Sequence, residues 1–149
     1  MMRTTMWGHR PLLARLGAAV VAAVACGAAL AMPAHATAAV SCYGDFCSGQ
    51  DPQATGCAAD AVTVATDKVY AAEIYLDLRW SPTCKTNWAR LRGVSGTINN
   101  FKVVQPATNY SRIRSGTNWW TYMIYSPNLC TYAYVELGAY GGTLQTSCV

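Results

Sequence analysis

The two histidines of this 149-residue chain, His9 and His35, both lie within its first 36 residues. These residues have the parts of an export signal: a basic start, an apolar alanine-rich run from Leu16 to Met32, and the small-x-small site Ala34-His35-Ala36. We therefore expect cleavage after Ala36 and secretion of the remainder. The secreted chain then has no imidazole, so neither a Ser-His-Asp nor a Cys-His catalytic arrangement can be assembled.

Two other processing schemes fit parts of this segment. A lipoprotein signal would place Cys26 at the new terminus, but its lipobox would begin with Ala23 instead of a bulky aliphatic residue. A membrane anchor is disfavoured because the apolar run ends at Pro33 without following basic residues and is slightly shorter than the roughly 20 residues of a span. We expect no membrane span, and lipidation at Cys26 is the alternative to cleavage after Ala36.

Six of the seven cysteines lie beyond the expected cleavage site, and they predict disulfides. They are Cys42, Cys47, Cys57, Cys84, Cys130 and Cys148. An even set in a small exported domain argues for three disulfide bonds, although sequence alone allows 15 pairings. A zinc site would need CxxC-type spacing, which no pair has. The oxygens of Asp45, Ser48 and Asp51 match no calcium loop. We predict neither a metal nor another cofactor.

The carboxylates remain as candidates for catalysis, since glycoside hydrolysis needs two of them across a cleft. The seven are Asp45, Asp51, Asp60, Asp67, Glu73, Asp77 and Glu136. Asp45 and Asp51 lie in a glycine-rich stretch where Asp commonly forms turns. Asp77 and Glu136 are predicted to face outward on strands, where Asp77 and Arg79 suggest a surface ion pair. We expect no enzyme, with a small secreted hydrolase using carboxylates as an alternative.

Aromatic residues offer a binding surface. The predicted binding residues are Trp119, Trp120, Tyr122, Tyr132 and Tyr134. Neighbouring residues of a strand point to opposite faces, so Trp119 and Trp120 cannot both be buried in one layer. One of them is expected on a surface, where it could stack on a sugar or anchor a protein partner. The alternative is that these rings fill the core.

Charge argues against a nucleic-acid partner. Cleavage removes three of the 11 basic residues, Arg3, Arg10 and Arg15, and none of the seven acidic residues. The formal net charge falls from +4 to about +1. Because nucleic-acid binding needs a basic stripe or patch, we expect no nucleic-acid binding.

Alternating β-branched and aromatic residues predict an all-β domain. The expected strands are Ala61–Thr66, Glu73–Trp80, Cys84–Arg92, Thr97–Gln105, Trp120–Tyr125 and Thr131–Ala139, with a short strand ending at Cys148. In Glu73–Trp80 the residues Ile74, Leu76, Leu78 and Trp80 share one face. Short strands between turn signals indicate a small disulfide-stapled β-sandwich or barrel. The expected organisation is a signal peptide (1–36), an extended arm (37–41) and a single secreted β domain (42–149).

The arm consists of Thr37, Ala38, Ala39, Val40 and Ser41. A disordered terminus is the default for such a segment. Addition as a strand to a partner's sheet edge is the functional alternative.

Several motifs follow one another between Cys42 and Arg92. They are Cys42-x-Gly-x-x-Cys47 with Asp51-Pro52, Gly56-Cys57 with Asp60, Arg79-Trp80-Ser81-Pro82-x-Cys84, and Thr86-Asn87-Trp88-Ala89-Arg90. On these motifs the stretch resembles the small YjfA-like secreted family of actinobacteria and bacilli, a domain of unknown function. The residues that carry the family motif are Asp51, Pro52, Arg79, Trp80, Trp88 and Arg90. Beyond Gly93 the resemblance is weak, and it brings no catalytic residues.

The resemblance also bears on cysteine pairing. Cys130 and Cys148 look like an addition to the four-cysteine pattern of the family. The preferred pairing is therefore Cys42–Cys47, Cys57–Cys84 and Cys130–Cys148.

Small exported proteins of this kind are similar to the adaptor subunits of umbrella-type toxin particles, in which an adaptor with an extended N-terminal arm joins a lectin subunit to a large toxin. The expected function is a secreted, non-catalytic protein-binding adaptor, a connector subunit of an extracellular antibacterial toxin complex. The alternative is a carbohydrate or cell-wall binding module. The expected partner is accordingly another secreted protein or a cell-wall glycan.

Overall fold

Two antiparallel four-stranded sheets form the framework of the chain in a computed structural model, which describes residues 39–95, 98–116 and 119–149. The expected signal peptide, the candidate lipidation site Cys26, and Thr37 and Ala38 of the arm lie outside these residues. The described residues belong to one compact unit.

The strands are β1 (Val62–Val69), β2 (Ile74–Ser81), β3 (Thr86–Arg92), β4 (Ile98–Gln105), β5 (Tyr110–Gly116), β6 (Ile124–Tyr125), β7 (Tyr132–Glu136) and β8 (Thr143–Gln145). Sheet A has the order β1-β2-β3-β6, and sheet B has the order β5-β4-β7-β8. Short 3₁₀ turns lie at Gly44–Cys47, Tyr70–Ala72, Pro106–Thr108 and Gly138–Tyr140. Among the described residues, no helix is long and apolar enough to cross a membrane.

The main core lies between the inner faces of the two sheets, which confirms the all-β sandwich prediction. Its side chains are Ile74, Leu76, Leu78, Ala89, Leu91, Ile98, Phe101, Val103, Ile124, Ala133, Val135, Leu137 and Leu144. The period-2 alternation of β2 places every second residue in this core because successive strand residues point to opposite faces. Trp80, expected on the same face, is only half-buried at the end of the strand.

A second apolar cluster covers the outer face of sheet A. Trp88 on β3 is 2% exposed and packs with Met123 and the cysteines Cys47, Cys57 and Cys84. These cysteines tie residues 42–60, which we call the cysteine loop, across the strand. Trp88 therefore lies between the sheet and the cysteine loop, outside the space between the two sheets.

The structure pairs the cysteines as the family pattern implies. The bridges are Cys42–Cys47, Cys57–Cys84 and Cys130–Cys148, with Cα–Cα distances of 5.3, 5.8 and 5.4 Å. These distances lie within the usual range for a disulfide. Three disulfides in a small domain are typical of proteins that mature in an oxidising compartment.

Several strand predictions need correction. Tyr110–Gly116 forms β5, a strand that the sequence patterns did not predict. Its hairpin with β4, which ends at Gln105, uses the 3₁₀ turn Pro106–Thr108 and Asn109 in the left-handed region (φ 53°). Of the predicted strand Trp120–Tyr125, only Ile124–Tyr125 forms a strand, because Trp120 makes only an isolated bridge with Arg90.

The β1 edge of sheet A is irregular. β1 pairs with β2 on one side and forms the end of the sheet order. Its register shifts between Thr63 and Ala65, and the side chains of Val62 and Val64 are exposed. Lys68 is partly exposed further along the strand, whereas Asp67 accepts the Gln145 N–H of β8 (2.9 Å).

The disulfides should stabilise the domain in proportion to the loops they close. Replacing both Cys57 and Cys84, which are 27 positions apart, by alanine is expected to lower the free energy of unfolding by about 3.5 kcal/mol in the loop-entropy model. Replacing Cys42 and Cys47, with a separation of 5, should cost about 2 kcal/mol. Urea unfolding followed by circular dichroism measures both values. A larger loss for the short bridge would contradict this account.

Candidate functional site

The cysteine loop lies along the segment 119–125, which extends from Trp119 through β6. The Gly49 N–H donates to the Met123 carbonyl (2.9 Å), and the Met123 N–H donates to the Gln50 carbonyl (3.0 Å). The segment is itself fixed to β3, since the Thr121 N–H donates to the Ala89 carbonyl (2.9 Å). The loop is therefore bound to sheet A by backbone hydrogen bonds as well as by disulfides.

Asp51 joins the cysteine loop to Trp120. The indole Nε1–H of Trp120 donates to both carboxylate oxygens of Asp51, each at 3.1 Å. Asp51 Oδ1 also accepts the backbone N–H of Gln53 at 2.8 Å, which closes the turn that contains the buried Pro52. The Asp51-Pro52 motif thus shapes the loop and orients one indole.

Arg79, Trp80, Trp88 and Arg90 are the other residues of the family motif. Arg79 donates to Thr63 Oγ1 (2.7 Å) and so connects β2 to β1. Trp88 fills the second cluster, and Trp80 lines a cleft of about 410 Å³ at the end of the sandwich. Arg90 lies on β3 beside Trp119 and Trp120. Most of the motif therefore has a structural role.

Asp60 holds the turn between β2 and β3. Its carboxylate accepts hydrogen bonds from Ser81 Oγ (2.6 Å) and the Thr83 N–H (2.9 Å). Burial raises the pKa of Asp60, but these hydrogen bonds outweigh it and hold the pKa below the usual 3.8. The Ser81-Pro82 turn is thus stabilised by a carboxylate from the cysteine loop.

The predicted aromatic binding residues do not form one surface. Trp119, Trp120 and Tyr122 lie in the segment beside β3 of sheet A. Tyr132 and Tyr134 lie on β7 of sheet B, where they alternate with the core residues Ala133 and Val135. Since the core side of β7 faces sheet A, these two tyrosines are on the outer face of sheet B. Both tryptophans are half-buried.

Asp77 and Glu136 do not share a cleft. Asp77 is 1% exposed on the outer side of β2, where Arg92 from β3 donates to its two oxygens (2.8 and 3.1 Å). Glu136 lies on β7 of the other sheet and accepts hydrogen bonds from Tyr134 and Asn100. This geometry does not suit a two-carboxylate mechanism.

The expected surface pair of Asp77 with Arg79 is wrong. The Asp77 carboxylate is buried and pairs with Arg92. Thr66 Oγ1 on β1 donates to the same carboxylate (2.9 Å). The partners of Asp77 are thus cross-strand neighbours on β1 and β3. Arg79 lies two residues further along β2 and is not its ion-pair partner.

A group of exposed aromatic side chains was missed by the sequence analysis. Phe46 is 86% exposed and Tyr43 is 65% exposed, and both belong to the tight loop closed by Cys42–Cys47. The ring of Tyr125 on β6 lies beside Gly44 of this loop, and the Tyr125 N–H donates to Ser48 Oγ (2.9 Å). We call Tyr43, Phe46 and Tyr125 the aromatic patch.

A cleft of about 620 Å³ adjoins the aromatic patch. Its lining includes Asp45 of the same turn, Tyr125 of the patch, and Gln105 and Leu129. The Gln105 side chain donates to Ser126 Oγ (2.9 Å) and accepts a hydrogen bond from Thr108 Oγ1 (2.6 Å). The patch and the cleft share Tyr125.

One group of potential metal ligands is found among the described residues. It consists of four cysteine sulfurs that lie within 4.8 Å of one another, those of Cys42, Cys47, Cys57 and Cys84. They are joined in two disulfides, whereas zinc binds cysteine as the thiolate. In the oxidised chain this cluster is structural.

The chain folds into a small, disulfide-bonded β-sandwich domain. Residues 45–134 match the family model described as "Protein of unknown function (DUF2690)", and the chain belongs to that family. No curated protein and no solved structure matches the chain.

The buried Asp77–Arg92 pair should make stability depend on pH. Burial raises the pKa of Asp77, but hydrogen bonds from Arg92 and Thr66 and the charge of Arg92 outweigh it, so the pKa lies below 3.8. A carboxylate with a depressed folded-state pKa stabilises the fold above its unfolded pKa of about 3.9, and this contribution is lost as pH falls through the folded value.

Asp77→Asn is therefore expected to lower the free energy of unfolding by about 1–3 kcal/mol at neutral pH and by less in strong acid. Urea unfolding at both pH values measures the difference. Glu73→Gln, at an exposed position in the turn before β2, should change stability by under about 0.5 kcal/mol. Equal losses for Asp77→Asn at both pH values would contradict the role of the charge.

Proposed function

We propose that this chain is a secreted, non-catalytic adaptor that binds another secreted protein. The observation that carries the proposal is the exposure of Phe46, at 86%, in a loop that the Cys42–Cys47 disulfide closes. Because the disulfide restricts the backbone of this loop, an apolar side chain on it loses less backbone entropy on binding, which suits an interface anchor.

The arm supports a second contact with the partner. Ala39, Val40 and Ser41 are exposed, and Ser41 is the point at which the arm is fixed, because its N–H donates to the Thr55 carbonyl (2.9 Å). The arm leads directly into the aromatic patch, since Tyr43 follows two residues later. An extended segment next to a rigid aromatic anchor suits strand addition to a partner's sheet edge.

The kind of partner is inferred from two resemblances: residues 42–92 resemble the YjfA-like family, and small exported proteins of this kind are similar to adaptor subunits of umbrella-type toxin particles. On this basis we infer that the partner is a much larger secreted toxin polypeptide, and that the adaptor joins it to a lectin subunit. Secretion after cleavage at Ala36 is part of the same proposal, and the three disulfides support it.

The proposal predicts that the protein purified from native culture medium elutes with much larger secreted polypeptides. Replacing Tyr43 and Phe46 together by alanine should weaken that association by about 30-fold or more, because truncating anchor side chains commonly removes 2 kcal/mol or more. Size-exclusion chromatography and titration of the purified partner measure the loss.

Tyr70→Ala provides the matched control. Tyr70 is 77% exposed, but it lies in the turn between β1 and β2, at the opposite end of β2 from Cys84. The control variant should associate as the wild type does. Elution of the native protein alone, or equal losses in both variants, would overturn the proposal.

A further inference from the structure

A second surface of the domain has a different chemistry from the aromatic patch. A pocket of about 420 Å³ lies between β3 and the segment 119–125, lined by Gln53, Arg90, Arg92, Gly93, Trp119 and Trp120 among others. Its volume falls in the range of sites for small molecules. Two tryptophans and two arginines thus line one concave space. We call it the Arg-Trp pocket.

Hydrogen bonds fix the backbone of Trp119 and the indole ring of Trp120. The Leu91 N–H donates to the Trp119 carbonyl (2.7 Å), which fixes the segment to β3. The indole of Trp120 is oriented by its two hydrogen bonds to Asp51 and packs against the second cluster. Because the backbone and one ring are already ordered, a ligand would find the pocket largely preformed.

The two arginines, Arg90 and Arg92, differ in their hydrogen-bond partners. Arg92 donates to both oxygens of Asp77, so its charge is compensated within the sheet. Arg90 is opposite Asp77 in the strand register. Within the part of the chain that the structure describes, however, the Arg90 guanidinium makes no hydrogen bond. The ion pair found there joins Arg92 to Asp77. Arg90 therefore lines the pocket with its donors available.

The nearby Asp51 carboxylate does not compete for Arg90. Its oxygens accept the Trp120 indole N–H and the backbone N–H groups of Gln53 and Ala54. Asp51 and Asp77 are thus engaged with other hydrogen-bond donors, and Asp77 attracts the Arg90 guanidinium through its charge alone. The hydrogen-bond donors of Arg90 remain available to a ligand in the pocket.

We propose that the Arg-Trp pocket binds a saccharide that bears a carboxylate, such as a uronic acid of a cell-surface glycan. Indole rings provide flat apolar surface for the C–H groups of a sugar, and a guanidinium binds a carboxylate through two parallel hydrogen bonds. The Gln53 side chain supplies an amide for a sugar hydroxyl. This site is separate from the aromatic patch and does not depend on the adaptor proposal.

The test is titration of the secreted chain with oligomers of galacturonic acid, followed by tryptophan fluorescence and calorimetry. The same oligomer with its carboxylates reduced to primary alcohols should bind at least about tenfold more weakly, since a charge-assisted hydrogen bond is lost. Arg90→Gln should weaken binding of the acidic oligomer by a similar factor, and Trp119→Leu should remove most of the fluorescence change. Thermal unfolding checks that both variants fold.

Lys102→Gln is the matched control for Arg90→Gln, because it removes one positive charge at a site away from the pocket. Lys102 lies on β4 of sheet B, where its ammonium group is 4.7 Å from the Tyr134 ring centroid. This variant should bind the acidic oligomer as the wild type does.

Three results would overturn the proposal. They are no binding of the acidic oligomer, equal binding of the reduced oligomer, and equal or tighter binding of a polyglutamate peptide. The last would make the pocket a site for acidic peptides. Arg90→Gln should still associate with the protein partner, whereas the Tyr43 and Phe46 double variant should still bind the oligomer. The two proposals can therefore fail independently.

Discussion

The burial of Trp88 beneath the cysteine loop is the contact on which the rest of the structure depends. A sandwich of this size has a modest main core, and one face of sheet A would expose a large indole if the loop were absent. Two disulfides and the backbone hydrogen bonds to segment 119–125 hold the cover in place. Because the loop is fixed over Trp88, it also holds Tyr43 and Phe46 of the aromatic patch near its start. Further along the loop, Asp51 orients the indole of Trp120.

Buried structural residues and exposed aromatic residues lie side by side within this short stretch of chain. The cysteines, proline and aspartates of the motifs mainly support the fold: Pro52 is buried, Asp60 holds a turn, and Asp51 binds an indole. Phe46, in the same stretch, is 86% exposed instead. Its side chain therefore contributes little to the packing of the domain.

Sequence patterns predicted the parts of the fold that depend on local periodicity. Ile74, Leu76 and Leu78 face the core because alternation in a strand has a period of two. β5 was missed because its sequence is largely polar and follows a proline. The partner of Asp77 depends on the register between β2 and β3, which no local pattern encodes. Phe46 also gave no signal, since a single apolar residue in a glycine-rich loop has no periodicity, and only the folded loop shows that it is exposed.

The irregular β1 edge has a consequence for solubility. A flat edge strand with exposed valines is a template for pairing between copies of a chain, which leads to aggregation. In β1 the register shift between Thr63 and Ala65 bends the hydrogen-bonding edge, and the partly exposed Lys68 adds a charge that an incoming apolar strand would have to desolvate. Pairing of a second copy of the chain with this edge is therefore disfavoured although its valines are exposed.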